Sequence, residues 1–213
     1  MKLALPKVYP ITDTDLSGLS HLEQVRRLVD GGATLIQLRD KRAPSGEFYA
    51  AAAEVMSFAQ PRGVKIVIND RVDIALAVGA DGVHLGQDDL PPAHARKLLG
   101  ENAIIGFSTH SVDQARDALA LPIDYIAIGP IFATSTKADH EPVVGLDGLR
   151  EVRTQIGTFQ IVAIGGINRE NAGSVVAAGG DCVALIADLV AEADQIANRM
   201  RELTIRANSV GNR

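Results

Sequence analysis

Short runs of aliphatic, mostly β-branched residues bounded by Gly, Asp or Asn alternate along the chain with longer Ala- and Leu-rich stretches at helical spacing. The runs cover residues 8–12, 35–39, 65–69, 82–86, 104–108, 125–129, 160–164 and 182–186, which predicts eight strands. Amphipathic stretches at 21–29, 47–58, 112–119, 147–156, 170–178 and from 189 to about 205 predict helices between and after them. Over 213 residues the eight strand–helix units average about 27 residues each, near the lower size limit of a (β/α)8 barrel. The pattern therefore predicts an α/β fold, a single TIM-barrel domain over residues 1–213 with residues 206–213 as a frayed polar tail.

Local signals agree with the units. Ser111 with Gln114 and Asn168 with Asn171 place a capping residue one turn before an amide, and Gly31-Gly32, Gly79, Gly100 and Gly179-Gly180 stand where helices should stop. A Gly-rich turn recurs before strands, in Gly31-Gly32-Ala33-Thr34, Gly79-Ala80-Asp81-Gly82 and Gly179-Gly180-Asp181, as serial units of one kind require. A doubly wound open sheet is the competing architecture. No strand is followed by G-x-G-x-x-G or G-x-x-x-x-G-K-[ST], and eight similar units favour closure.

Composition narrows the classes. A chain 46% hydrophobic with net charge -5 is not disordered, and one cysteine cannot staple a secreted mini-fold, so a reducing, cytoplasmic setting is expected. No run approaches the roughly 18 apolar residues of a membrane span, and Pro6 and Lys7 break the early hydrophobic stretch that a signal peptide would need. With 26 acidic against 21 basic residues, no nucleic-acid footprint is expected. Small-molecule substrates are the expected partners; oligomeric state, a homo-oligomer included, is left open.

In a parallel barrel, function gathers at the C-terminal ends of the strands. There the sequence places Gln37-Leu38-Arg39-Asp40-Lys41, Asn69-Asp70, Gln87-Asp88-Asp89, Ser108-Thr109-His110, Thr134-Ser135-Thr136-Lys137 and Gly165-Gly166. Gln37, Arg39 and Lys41 alternate on an extended segment and so point to one side. An inward Arg39 needs an anionic partner, either a structural carboxylate such as Asp40 or Asp70 or a ligand phosphate. With Lys41 and Lys137 it makes three cations at one rim, which suits a pyrophosphate better than the single desolvated amine of Schiff-base chemistry. Asp70 and Asp89 end adjacent strands and suit Mg2+, or else each caps a turn. The long loop after strand 6 suits a ligand clamp or a solvated surface loop. Gly165-Gly166-Ile167, leading to a helix start at Asn168, offers backbone N–H groups to a second phosphate. His21, His84, His94 and His140 have no metal-ligand spacing and read as structural or surface residues. His110 either touches substrate or supports a neighbour, and Cys182 reads as core.

These motifs, with His84-Leu85-Gly86-Gln87-Asp88-Asp89, Gly106-Phe107-Ser108-Thr109-His110 and Gly129-Pro130-Ile131-Phe132-Ala133-Thr134-Ser135-Thr136-Lys137, resemble those of the bacterial thiamine phosphate synthase family over essentially the full length. The resemblance implies a Mg2+-dependent (β/α)8 transferase. Such an enzyme joins hydroxymethylpyrimidine diphosphate to a thiazole phosphate, releasing pyrophosphate, and carbon dioxide as well from a carboxythiazole. It implies that Gln37, Leu38, Arg39, Asp40, Lys41, Asn69, Ser108 and Lys137 bind the pyrimidine diphosphate, with Arg39, Lys41, Ser108 and Lys137 catalytic. Asp70 and Asp89 would hold Mg2+, and Thr134, Ser135, Thr136, Gly166, Ile186 and Ala187 the thiazole phosphate. One segment departs: the family commonly has a small hydroxyl residue where Ala187 stands, beside Asp188. A thiazole tautomerase of the same superfamily and a non-catalytic ligand-binding barrel are the rival readings.

Overall fold

The computed structural model describes residues 4–134 and 142–210. Eight parallel strands form its centre: β1 (Val8–Pro10), β2 (Leu35–Leu38), β3 (Lys65–Asn69), β4 (Gly82–Leu85), β5 (Ile104–Thr109), β6 (Tyr125–Ile128), β7 (Ile161–Ile164) and β8 (Cys182–Leu185). Their order is β1-β8-β7-β6-β5-β4-β3-β2, and a parallel bridge from Ile11 to Gln37 joins the two ends of the sheet. The predicted (β/α)8 barrel is the observed fold, with each strand within two residues of its expected span at either end.

Two short helices follow strands at the C-terminal rim: α1 (Thr14–Ser17) after β1 and α9 (Ala187–Val190) after β8. The outer layer consists of α2 (His21–Asp30), α3 (Ser45–Ala59), α4 (Val72–Val78), α5 (Pro92–Leu99), α6 (Val112–Asp117), α7 (Gly145–Ile156), α8 (Ala172–Ala177) and α10 (Ile196–Val210). A capping box between Ser20 and Glu23 starts α2, and Ser111 accepts the Gln114 amide at the start of α6. Helices α4 and α5 span about two turns each, too short for a 3.6-residue period to declare itself in the sequence.

Two expectations about helices change. Helix α8 begins at Ala172 rather than near Asn168, because Asn168 and Asn171 bind each other's amides and hold the chain in a turn first. Helix α10 starts at Ile196 rather than near Leu189, which belongs to α9, and continues to Val210 with Ala207 fully buried, where the sequence predicts a frayed tail from residue 206. Residues 211–213 lie outside the described residues.

At the N-terminal ends of the strands the recurring aspartates have a common job. Asp81, Asp124 and Asp181 each precede a strand and accept the backbone N–H of Ile66, Ile105 or Ile161 in the preceding strand, all at 2.8 Å. Arg96 then pairs with Asp124, and Arg153 with Asp181, each across 28 residues, while the same guanidiniums bind carbonyls around their helix C-termini. The strand-to-strand link is thus made at the stability end of the barrel, leaving the opposite rim to the site. No helix among the described residues is long and apolar enough to cross a membrane.

Candidate active site

Two adjoining cavities open at the C-terminal rim. The larger, about 810 Å³, is walled by residues that alternate along the strands: Tyr9 and Ile11, Gln37 and Arg39, His84 and Gly86, Tyr125 and Ala127, Val162 and Ile164, Ala184 and Ile186. Lys41, Asn69, Asp70, Asp89 and Ser108 also line it. The smaller, about 480 Å³, lies between the turns after β6, β7 and β8 and shares Ser108, His110, Ala127, Ile164, Ala184 and Ile186 with the first.

Among the described residues expected to contact a pyrimidine diphosphate, Leu38 is the exception. The same alternation that points Gln37 inward sends Leu38 into the packed core, where it is fully buried and reaches neither cavity.

The cation-bearing turn is held from below. Arg39 pairs with Asp13 at 3.3 Å rather than with Asp40 or Asp70, and both partners are largely buried. Asp40 Oδ1 instead accepts the Arg42 and Ala43 amides at 2.9 and 2.8 Å, folding the turn that carries Lys41. Burial acts against the Asp40 carboxylate, but those amides and the facing His21 ring outweigh it and lower its pKa. Lys41 reaches Asp70 at 3.5 Å.

Asp70 has the unusual backbone angle φ 63°, and the Arg71 N–H donates to Asn69 O across it at 2.7 Å. A non-glycine residue at the centre of such a three-residue turn is strained, a cost that surrounding structure must impose. Burial, and then the facing Asp89 carboxylate, raise the Asp70 pKa against the pull of Lys41. Asp89 is itself oriented by the Gly86 N–H at 2.6 Å. Two carboxylates made to share one small volume, one of them partly balanced by an ammonium, form a donor set that fits a hard divalent cation.

Deeper in the barrel runs a chain of buried polar contacts that the sequence reading did not foresee. Gln37 Nε2 donates to the Tyr9 hydroxyl at 3.2 Å, which lies 3.3 Å from the Tyr125 hydroxyl; this lies 3.0 Å from His84 Nδ1, and His84 Nε2 lies 2.9 Å from Ser108 Oγ. Burial pushes both phenols well above their ordinary range, so they stay neutral and serve as hydrogen-bonding groups. His84, expected to be structural or on the surface, belongs to the cavity wall. Gly106 makes the arrangement fit: a Cβ there would lie 2.0 Å from the Tyr125 ring.

In the second cavity, Gly165 and Gly166 have φ 97° and 64°, and a Cβ on Gly166 would lie 2.7 Å from Ala133 O. Only glycine lets this turn pass under the loop after β6. Thr134, Gly166, Ile186 and Ala187 all line this cavity; Ser135, Thr136 and Lys137 lie outside the described residues. The turn before α8 is not an open anion site, since Asn168 accepts the Glu170 and Asn171 amides and Asp188 the Arg169 amide. The Asp188 carboxylate is in turn bound by the Arg169 side chain at 3.1 Å, and Arg199 lies beside it in the wall. Both arginines come from outside the strand-end motifs, which is why motif spacing missed them.

Known proteins resemble this chain in sequence and in fold. A family model described as thiamine monophosphate synthase matches residues 8–189. The thiamine-phosphate synthase of Chloroflexus aurantiacus is 45% identical over 198 residues, 92% of this chain and 90% of that protein. That of Koribacter versatilis is 45% identical over 208 residues, covering 94% and 97%. The solved thiamine phosphate pyrophosphorylase from Pyrococcus furiosus has a TM-score of 0.86 at 36% identity, over 96% of both chains. Phosphoribosyl anthranilate isomerase from Thermotoga maritima, with a TM-score of 0.67 at 16% identity over 96% of this chain and 100% of that one, shares the fold alone. With a family match across the barrel and close relatives along nearly the whole length, the chain belongs to the thiamine monophosphate synthase family of transferases.

Proposed function

We propose that the two cavities are the two substrate sites of a thiamine-phosphate synthase reaction, the larger for hydroxymethylpyrimidine diphosphate and the smaller for a thiazole phosphate or carboxythiazole phosphate. The observation that carries this reading is their adjacency: one has Arg39, Lys41, Asp70 and Asp89 at its mouth, the other the Gly165–Gly166 turn, and Ser108 stands in both walls.

The chemistry assigned to the residues is a dissociative displacement. The bond from the pyrimidine methylene to the diphosphate oxygen breaks, and its electron pair leaves with pyrophosphate. Arg39 and Lys41, with Lys137 from the loop after β6, offset the charge developing there. The electron-rich aminopyrimidine stabilises the cation that remains, and the thiazole nitrogen attacks it. Gln37, Asn69 and Ser108 orient the pyrimidine, held in place through the His84, Tyr125 and Tyr9 chain. Backbone amides and hydroxyls around Gly166, Thr134, Ser135, Thr136, Ile186 and Ala187 hold the thiazole phosphate, with Arg169 neutralising Asp188. Asp70 and Asp89 would hold Mg2+, which would supply further positive charge for the departing diphosphate. Catalysis on this reading is positioning and electrostatics, with no enzyme nucleophile. The single cysteine, Cys182, is buried and free, which fits a reducing, cytoplasmic setting.

Incubation with both substrates and Mg2+ is expected to yield thiamine phosphate and pyrophosphate. A tautomerase or a non-catalytic barrel yields neither. Asp70→Ala should abolish Mg2+-dependent turnover while leaving the protein folded; full activity in that variant removes the metal assignment.

A further inference from the structure

We propose that His21, at the start of α2, is a positioning residue for the turn that carries Arg39 and Lys41, setting the affinity for a diphosphate without touching it. The proposal rests on that turn being the diphosphate site. His21 is 3% exposed and sits beneath the rim, its ring packed against Phe48. Nδ1 lies 2.8 Å from Thr12 Oγ1, and Thr12 Oγ1 accepts the Arg39 amide at 3.3 Å. On the other side of the ring, Nε2 lies 3.5 Å from Asp40 Oδ2, the carboxylate whose other oxygen folds residues 40–43. One imidazole therefore faces both anchors of the turn, the hydroxyl that holds its first amide and the carboxylate that closes it.

The surroundings of the ring favour one tautomer. The Asp40 carboxylate, 3.5 Å from Nε2, favours the proton on that nitrogen, which leaves Nδ1 to accept from the Thr12 hydroxyl at 2.8 Å. Burial lowers the His21 pKa despite the charges of Asp40 and Asp13, in keeping with a neutral ring. Nε2 is buried and makes no hydrogen bond, yet its proton is aimed at a carboxylate about half an ångström too far away. A buried donor left in that position favours any small movement of the turn towards the ring. Such a movement fixes the backbone from which Arg39 and Lys41 reach into the cleft.

The test is binding of inorganic pyrophosphate with Mg2+ by calorimetry, together with KM for each substrate. His21→Phe keeps the ring volume and the contact with Phe48 but removes both nitrogens; His21→Gln restores a donor towards Asp40. His21→Phe is expected to weaken pyrophosphate binding and raise KM for the pyrimidine diphosphate by about tenfold each, as a sub-ångström loosening should. KM for the thiazole phosphate should stay within about twofold, and His21→Gln should recover most of the loss. Arg39→Ala serves as the control. If it loses pyrophosphate binding while His21→Phe keeps it, the role of His21 is overturned and the site reading stands. If Arg39→Ala binds pyrophosphate as well as the parent protein, the site reading falls and the role of His21 with it. Equal rises in both KM values also overturn the proposal, since they mark general loosening. Should His21→Phe fail to fold, Thr12→Val removes the same link through a near-isosteric side chain and is expected to show the same selective loss; unchanged pyrophosphate binding in it overturns the proposal.

Discussion

At the scale of single residues, partners decide what each polar group does. Arg39 faces inward, as strand alternation requires, but its counter-charge is Asp13, 26 positions away and beyond the reach of any spacing rule. Asp70 is bent into a positive φ and made to face Asp89, which no local pattern announces. His21 shows the consequence for stability. Its folded pKa lies below the ordinary 6.5 because burial penalises the charged ring, so the unfolded chain binds the proton more readily. Its contribution is therefore present above pH 6.5 and is lost as pH falls through the lowered folded pKa. Asp70, raised in the fold, acts in the opposite sense at lower pH. Urea midpoints measured from pH 8 downwards should fall below about 6.5 in the parent protein, and His21→Gln should flatten that decline. An identical decline in the variant would assign it to other groups.

At the scale of elements, the chain reuses one device. The aspartate before β6 and the aspartate before β8 both accept an amide of the preceding strand and bind an arginine from a helix, with the same 28-residue separation. The Gly-rich turn before β8 was visible in the sequence; the double role of its Asp181 was not, because the arginine is supplied from a different unit. Asp181→Ala leaves the Ile161 amide without its acceptor and Arg153 without its carboxylate. A loss of about 1–3 kcal/mol in chemical denaturation is expected, with kcat unchanged because the contact lies at the end of the barrel away from the site. The strands were legible because a buried three- to six-residue run leaves a plain trace. The start of α8 was not, since Asn168 and Asn171 satisfy each other before the helix begins.

At the scale of the molecule, the barrel has one weak seam. Seven strand pairs have regular ladders, whereas β1 and β2 meet through the Ile11–Gln37 bridge and the Thr12 amide on Gln37 O at 2.9 Å. The turn that carries Arg39 and Lys41 leaves the barrel at this seam. Amide hydrogen exchange should be faster at Thr12 than at Val67 or Val83 in the β3–β4 ladder, and Mg2+ with pyrophosphate should slow it. Equal protection at all three positions without ligand would refute a weak seam. The amino-acid sequence by itself determined the eight units, their closure into a barrel and the polar character of one rim, because strand period, helix period and turn chemistry are local and survive without knowledge of neighbours. Tertiary structure alone decided that Asp13 holds Arg39, that Leu38 is buried away from the cleft, that Tyr9, Tyr125 and His84 link Gln37 to Ser108, and that the amides of residues 169–171 are already taken. Each of those outcomes depends on distances between residues far apart in the chain, and only closure of the barrel sets such distances.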